Sequence, residues 1–566
     1  MSYGLIPVIL AAAVILLFCH GLREEKRKKQ ALRERLEEDC GRAPRAYRKE
    51  LTAKRGAEDD KESTCYVDGI TWRELEMDTV FRRLDYTLSQ AGTEYLYTAL
   101  HHPAETVEEA GKWEFAAAYF TAHAEERMRI REILAAIGKA QGNPFSDCLR
   151  VMKEGEQKKP VREYVGWAAC LFAGIVSVGA GGAGVCLLLL VLIVQMVTYF
   201  RERARVLPFL RHIVWLLGMI QGMESLYHAL PREICREAWE TERMDIAACL
   251  KKLNVLRRHS FWIRQSCSAG SPLSLVGDYI RILFHPDIVQ FMALRERILS
   301  LEEELCAGYA FVGYMDACIS ICLYRMSLKA YCIPALHVCR AETALSVCEC
   351  VHPLLEKPVA NSIRVTGNKG VLLTGSNASG KSTFLKTIAV NLLLAQTIHT
   401  ALATEFCAPL CHIYTAMADG GDIRDGRSSY MAEILSLKRI LDADVMGDRK
   451  LYCFVDEILR GTGSVERISA AASILRHIRP PRITCFAATH DRELTYLLEK
   501  EYDNYYFTEE VAGSGMIFSY RLRPGRADTC NAIRLLAAVG YEEEIVQEAF
   551  ARAKQLQNLQ SEEART

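Results

Sequence analysis

Residues 371–383 read Val-Leu-Leu-Thr-Gly-Ser-Asn-Ala-Ser-Gly-Lys-Ser-Thr, a short apolar run that enters G-x-x-x-x-G-K-S and continues as an amphipathic stretch. Strand, glycine-framed loop and helix in that order commit the C-terminal part of the chain to an α/β fold of the P-loop NTPase kind. The spacing has a physical reason. Gly375 and Gly380 let the backbone curl so that its N–H groups converge, and the helix over about 381–395 aims its positive end at the same point. Such a cradle takes phosphate. Lys381 is placed to neutralise the β- and γ-phosphates of a nucleoside triphosphate, and the Ser382 hydroxyl to ligate Mg2+.

A phosphate loop needs a second strand that ends in a carboxylate for the metal. Lys450-Leu-Tyr-Cys-Phe-Val-Asp456-Glu457 supplies it, roughly 75 residues further on. Asp456 falls on the metal side. Glu457, one residue later and facing the γ-phosphate, is the group to polarise the attacking water, general-base work commonly worth ~10²–10⁴ in rate. A third apolar run, Ile483-Thr-Cys-Phe-Ala-Ala-Thr489, ends in His490-Asp491, which places His490 to sense the γ-phosphate.

Four ordered segments then carry a resemblance. Gly375-Ser-Asn-Ala-Ser-Gly-Lys-Ser-Thr383, Asp425-Gly-Arg-Ser-Ser-Tyr-Met-Ala-Glu433, Asp456-Glu-Ile-Leu-Arg-Gly-Thr-Gly463 and Ala488-Thr-His-Asp-Arg-Glu-Leu494 together resemble the ATPase of MutS-type mismatch-repair proteins. The resemblance implies ATP and Mg2+ as cofactors. It also implies a homodimer, in which the segment matching Ser428-Ser429 opens a helix whose N-terminus completes the nucleotide site of the other subunit. Residue by residue, it assigns Asn377 to the inner contacts of the loop, Ser428 to the signature that acts in trans, Gly461-Thr462 to the loop between the two sites, and His352-Pro353 to the opening of the domain. The expected nucleotide-binding set is Gly375, Ser376, Asn377, Ala378, Ser379, Gly380, Lys381, Ser382 and Thr383, with Ser428; the catalytic pair is Glu457 and His490, and the metal ligands are Ser382 and Asp456. Transporter-type ABC ATPases share the architecture, but their Leu-Ser-Gly-Gly-Gln run is missing between the two nucleotide motifs. One departure stands out: where the family often has an aromatic that stacks on adenine, this chain has Lys357-Pro358-Val359. Phe518-Ser-Tyr-Arg-Leu-Arg-Pro-Gly-Arg526 and Asn531-Ala-Ile-Arg-Leu-Leu-Ala-Ala-Val-Gly540 resemble the family's last strand and dimerising helices.

Two apolar blocks point to a bilayer. Tyr3 to Cys19 is almost unbroken, has no basic residue before it, and is followed directly by Arg23-Glu-Glu-Lys-Arg-Lys-Lys29. A cleaved leader carries its positive charge first, so residues 1–22 are expected to be an uncleaved anchor with the rest of the chain cytosolic. The block 164–200 is broken by Gly179-Ala-Gly-Gly-Ala-Gly184, a hairpin signature. Each limb of ~16–18 residues reaches roughly 24–27 Å, short for a ~30 Å hydrocarbon core but within adjustment. Lys158, Lys159 and Arg162 precede it and Arg201, Arg203 and Arg205 follow it, so both ends are expected on the cytosolic side. The expectation is a multi-pass membrane protein with three spans. Between anchor and hairpin, residues 23–63 form a basic linker with Arg33, Arg35, Arg42, Arg45, Arg48 and Lys49, suited to anionic headgroups.

From Thr71-Trp72 onward Leu75, Met77, Val80, Phe81, Leu84 and Leu88 recur at helical spacing. The run Leu84 to Leu100, with Ser89-Gln-Ala-Gly-Thr-Glu-Tyr-Leu-Tyr97, resembles the start of the MutS helical core and lever domain, an all-α region expected over 64–340 with the hairpin inserted. Residues 341–566 are the expected ATPase domain with its dimerisation helices. With an anchor and a linker expected ahead of residue 64, the domain that in mismatch-repair members inserts a Phe and a Glu beside the mispaired base is not expected there.

Charge and cysteines narrow the partners. Seventy basic and seventy acidic residues cancel over 566, so the whole chain has no basic footprint for non-specific DNA binding. The 21 cysteines follow no framework spacing and read as reduced thiols. His337, Cys339, Cys348, Cys350 and His352 fall close together but fit no standard zinc spacing and lead straight into the His-Pro motif, so no zinc is expected. The resulting expectation is a membrane-anchored, dimeric MutS-like ATPase driving a helical clamp, with DNA and mismatch repair implied by the resemblance. The rival is an ABC-transporter-like or scaffold ATPase with a membrane-borne client.

Overall fold

A computed structural model describes residues 20, 23–24, 26–42, 66–139, 145–154, 161–236, 245–266, 272–338, 345–365, 369–376, 379–417, 429–443, 449–459, 462–478, 483–512, 515–526, 533, 536 and 540–563. The apolar run 3–19 and the linker stretch 43–63 lie outside them. Two units form, one from residues 1–60, 85–98 and 115–327, the other from 61–84, 99–114 and 328–566. These cut across the linear division at 340 expected from the sequence. The physical reason is that segments 61–84 and 99–114 complete the C-terminal unit. Thr71 Oγ1 and Glu74 Oε2 accept the backbone N–H of Thr415 and Met417 at 3.3 and 3.0 Å, and Trp113 Nε1 donates to the carbonyl of Thr397 at 2.7 Å.

The first unit is helical. Its centre is the helix Glu302–Ser327, whose residues from Phe311 to Tyr324 are buried throughout. This helix is long and apolar enough to cross a membrane, yet 83% of its apolar window is buried by protein, which makes it a core helix. In its middle Asp316, 1% exposed, accepts hydrogen bonds from the backbone N–H of Leu88 and Ser89 at 3.0 and 2.7 Å and from Ser89 Oγ at 2.6 Å. Ser89 Oγ in turn accepts the N–H of Gly92 at 3.0 Å and so caps the helix Gln90–His101. A Cβ at Gly92 would stand 2.3 Å from Asp316 Oδ2. Ser89 and Gly92, in the run that resembles the MutS helical core, therefore form a docking point for a buried carboxylate.

The same unit carries the hairpin. The apolar helices Glu163–Ala180 and Gly182–Leu207 are also of membrane-crossing length, but only 17% of each apolar window is buried. They turn where the glycines predict. A Cβ at Gly184 would meet the carbonyl oxygen of Ser177 at 1.7 Å, and one at Gly174 would meet Leu188 at 3.3 Å, so small residues bring the limbs together. Gln195 Nε2 donates to the carbonyl of Trp167 at 2.8 Å between them. The second limb continues without a break as the helix Gly182–Ala229.

The second unit is built on a six-stranded sheet in the order β10-β9-β4-β8-β7-β6. Its strands are β4 (Gly370–Thr374), β6 (Cys411–Met417), β7 (Lys450–Asp456), β8 (Ile483–Thr489), β9 (Tyr502–Ala512) and β10 (Gly515–Pro524). All pairings are parallel except β9 with β10. Strands β4, β7 and β8 are buried at every position, as expected of a parallel sheet covered on both faces. A smaller sheet, β1-β5-β2-β3, joins β1 (Ala335–His337), β2 (Leu345–Cys350), β3 (Asn361–Val365) and β5 (Glu405–Pro409).

Candidate nucleotide site

Strand β8 lies between β4 and β7, and this order assembles the site. The phosphate loop leaves the end of β4, His490 leaves the end of β8, and Asp456 and Glu457 leave the end of β7. Ligands of open α/β sheets bind beyond the carboxyl ends of such strands.

The loop has the shape that its glycines allow. Gly375 has φ +148° and Gly380 φ +107°, and a Cβ at Gly375 would meet Ser379 Oγ at 2.9 Å. Gly380 stands at the N-cap of the helix Lys381–Thr397, so the positive end of that helix opens directly after the loop. Lys381 is 4% exposed; its Nζ donates to the carbonyls of Gly375 and Ser376 at 2.9 and 2.7 Å and lies 3.5 Å from His490 Nε2. Ser382 and Thr383 are exposed on the first turn. Asn377, Ala378, Ser428 and Gly461 lie outside the described residues, and the helix Ser429–Asp442 starts at the residue after Ser428.

Beyond β7, Glu457 takes a left-handed backbone at φ +52°, and its N–H donates to the carbonyl of Ala488 on β8 at 2.9 Å. A non-glycine residue in that region costs of order 1–3 kcal/mol and persists where its surroundings over-determine it. The turn carries the carboxylate to His490, with Glu457 Oε1 2.5 Å from Nε2.

The donor set fits Mg2+ and phosphate. Asp456 is 7% exposed, and its Oδ1 is buried without a hydrogen-bond partner among the described residues. Ser379 Oγ is likewise buried and unpartnered among them. A buried polar atom left unsatisfied costs ~1–3 kcal/mol, so each is suited to an incoming ligand. Carboxylate and hydroxyl oxygens form the hard donor set that Mg2+ prefers.

Two residues here had no role in the sequence reading. Arg467 donates through Nε and Nη2 to Asp491 Oδ2 and Oδ1 at 2.9 and 2.7 Å, a bidentate pair that holds the segment after His490 against the helix Ser464–His477. The hydrogen bond to Asp491 raises the Arg467 pKa further. Tyr520 on β10 is the second. The β9–β10 register shifts between Phe518 and Leu522, Tyr520 takes φ +52°, and a Cβ at Gly380 would meet its ring at 3.2 Å. The bulge thus sets an exposed aromatic against the phosphate loop. Its only signal in the sequence was its place on the last strand.

Strand order, glycine-framed loop and the paired acids after β7 define a P-loop NTPase domain. Comparison with known proteins shows what this domain resembles: residues 371–557 match MutS domain V. The chain is similar to the "DNA mismatch repair protein MutS" of Thermus thermophilus, 29% identical over 266 residues that cover 46% of this chain and 31% of that protein. The protein of the same name from Thermus aquaticus is 32% identical over 204 residues, 35% of this chain and 25% of that one. That from Thermosynechococcus vestitus is 29% identical over 281 residues, 47% and 31%. The chain thus carries a domain similar to MutS domain V over 371–557, about a third of its length, and the members of that family are ATPases. It spans no more than about a third of the length of these curated relatives.

Proposed function

We propose that this protein is a membrane-held MutS-family ATPase that works as a homodimer and couples ATP hydrolysis to movement of its helical unit, with DNA as the client. The observation that carries the ATPase reading is the pairing of Glu457 with His490 one residue beyond the unsatisfied Oδ1 of Asp456. Lys381 exchanges the carbonyls of Gly375 and Ser376 for phosphate oxygens when nucleotide enters. Ser382 and Asp456 would hold Mg2+, which when bound would draw charge off the phosphates. Glu457 polarises the attacking water, and His490 orients Glu457 and reports on the γ-phosphate. Tyr520 offers its ring to the base, in the role left open at Lys357-Pro358-Val359. Ser428 of a second copy completes the site in trans, as the family resemblance implies.

Membrane attachment rests on the exposed hairpin and on the apolar run 3–19. Large contiguous apolar surface is rare on soluble proteins, and here Phe172, Val176, Leu190 and Val197 are each more than half exposed. DNA and mismatch repair are the functions named for the relatives, and they are proposals for this chain. The balanced net charge and the exposed hairpin favour a second reading, a membrane-borne client.

ATP turnover of the full chain in nanodiscs, with and without duplex, mismatched and branched DNA at two salt concentrations, separates the readings. Salt-sensitive stimulation supports DNA as client, and the preferred substrate tells repair from structural binding. Turnover indifferent to every DNA overturns the DNA reading in favour of the membrane-borne client.

A further inference from the structure

A surface cleft of about 410 Å³ lies in the helical unit beside the foot of the hairpin. One wall is the helix Pro286–Ser300, and His259, at the C-cap of the helix Ile246–Arg258, faces it. The lining is mostly apolar, with Phe284, Pro286, Val289 and Leu294, and it carries a cation at Arg297. Among the described residues neither the His259 ring nor the Arg297 guanidinium has a hydrogen-bond or ion-pair partner.

The direction of the cleft follows from its neighbours. His285 stacks on Tyr199 with ring centres 5.5 Å apart and meets Tyr164 edge-on at 5.9 Å, and Tyr199 OH donates to Asp287 Oδ2 at 3.0 Å. Tyr164 and Tyr199 stand at the two ends of the apolar block, so residues 284–287 sit at the foot of the hairpin. Further along, Phe209 lies 5.9 Å from Phe291. The helix Pro286–Ser300 therefore rises from the hairpin foot beside the continuation of the second limb, and Arg297 stands about 16 Å along it from Pro286.

We propose that this cleft binds an anionic phospholipid from the bilayer that the hairpin enters, with its phosphate on Arg297 and His259. One acyl chain runs down past Leu294, Val289 and Pro286 to Phe284. The inference rests on the membrane reading of the hairpin. Two features select this occupant over others. An unpaired cation at the far end of an apolar channel complements an anionic head with a hydrocarbon tail, and the tail end of the channel meets the surface already facing lipid. A soluble anion would use the arginine and leave the apolar wall uncovered. The volume lies within the ordinary range of ligand sites.

The test is photo-crosslinking of the full chain in nanodiscs with phosphatidylglycerol bearing a diazirine on its acyl chain, the phosphatidylcholine analogue serving as control. Labelled peptides are mapped by mass spectrometry. The expected result is phosphatidylglycerol labelling within 284–294 that falls roughly tenfold in Arg297→Glu and partly in His259→Ala, the loss of a charge-assisted contact. Hairpin peptides within 163–207 are labelled by both lipids and unaffected by either substitution. Labelled hairpin peptides with an unlabelled cleft, equal cleft labelling by the two lipids, or full labelling in Arg297→Glu overturns the lipid site and leaves the membrane reading standing. Loss of cleft labelling to competing inorganic phosphate also overturns it, in favour of a soluble anion. Absence of label from hairpin and cleft alike overturns the membrane reading itself.

Discussion

The carboxylate of Glu457 lies 2.5 Å from Nε2 of His490, joined across two neighbouring strands by a left-handed turn at Glu457. The two residues act as a unit, because the turn aims the carboxylate and the imidazole fixes where it stops. Glu457→Gln keeps the shape of the side chain and removes its basicity. Turnover is expected to fall by ~10²–10⁴ while ATP affinity stays close to that of the wild type. His490→Ala frees the carboxylate without removing it, so a smaller fall is expected, roughly tenfold to a hundredfold. Single-turnover hydrolysis measured beside equilibrium ATP binding checks both, and a Glu457→Gln variant that hydrolyses at the wild-type rate removes Glu457 from its role.

Lys381 has little exposure and donates to two carbonyls of its own loop. Lys381→Ala removes the charge that, under the proposed function, faces the phosphates, and takes its donor away from those carbonyls. ATP binding is expected to weaken by at least about tenfold, through loss of a charge-assisted contact. Titration with a fluorescent ATP analogue reads this directly, and unchanged affinity would place the nucleotide elsewhere.

Tyr520 reaches the loop only because β10 bulges. Under the proposed function its ring is the platform for the base, so Tyr520→Ala should weaken ATP binding by the ~1–3 kcal/mol typical of aromatic–base stacking. Tyr520→Phe should restore it. Inorganic triphosphate, which has no base, is expected to bind both variants equally, and an equal loss for triphosphate would show that the tyrosine shapes the loop instead.

Asp316 offers a stability test remote from the site. It gathers two backbone N–H groups and the Ser89 hydroxyl inside the helical unit, where Asp316→Ala leaves all three donors unpaired. A loss of roughly 3 kcal/mol is expected, as for a buried hydrogen-bonded charge whose partners remain. Gly92→Ala forces a Cβ into the same carboxylate and should cost ~1–3 kcal/mol. Calorimetry on the two variants measures both effects, and a transition unmoved in Asp316→Ala would deny the contact its structural weight.

What the sequence disclosed follows from the range of the forces involved. That loop, paired acids and His490 each follow an apolar strand was legible because each motif is a short run directly after apolar residues in sequence. The hairpin turn was legible because only glycine tolerates the approach of Gly184 to Ser177. The pairing of Ser89 with Asp316 joins residues 227 apart, and nothing local at Asp316 announces it. The assignment of 61–84 and 99–114 to the C-terminal unit is of the same kind, set by Thr71, Glu74 and Trp113 reaching partners roughly three hundred residues away. The helix Glu302–Ser327 has the composition of a span and the environment of a core, a distinction that only packing makes. Tyr520 escaped because a bulge turned it from where simple strand alternation would point it.

His352 provides a pH test of the C-terminal unit. Burial lowers its pKa to about 4, against a pull upward from Glu76 and a further push down from Lys386, which pairs with Glu76 at 2.8 Å. Its Nδ1 accepts the N–H of Leu354 at 3.3 Å, an arrangement available only to the neutral ring with its proton on Nε2. Between pH 6.5 and 4 the unfolded chain binds a proton at this residue that the folded one refuses. The resulting stability is fully present above pH 6.5 and is lost as the pH falls through that window, about 3 kcal/mol in all at one proton. The calorimetric transition of this unit in the wild type should therefore drop on going from about pH 7 to about pH 4.5 by more than in His352→Gln, where no proton is taken up. Parallel pH profiles for the two proteins would mean that His352 is solvated in the folded state.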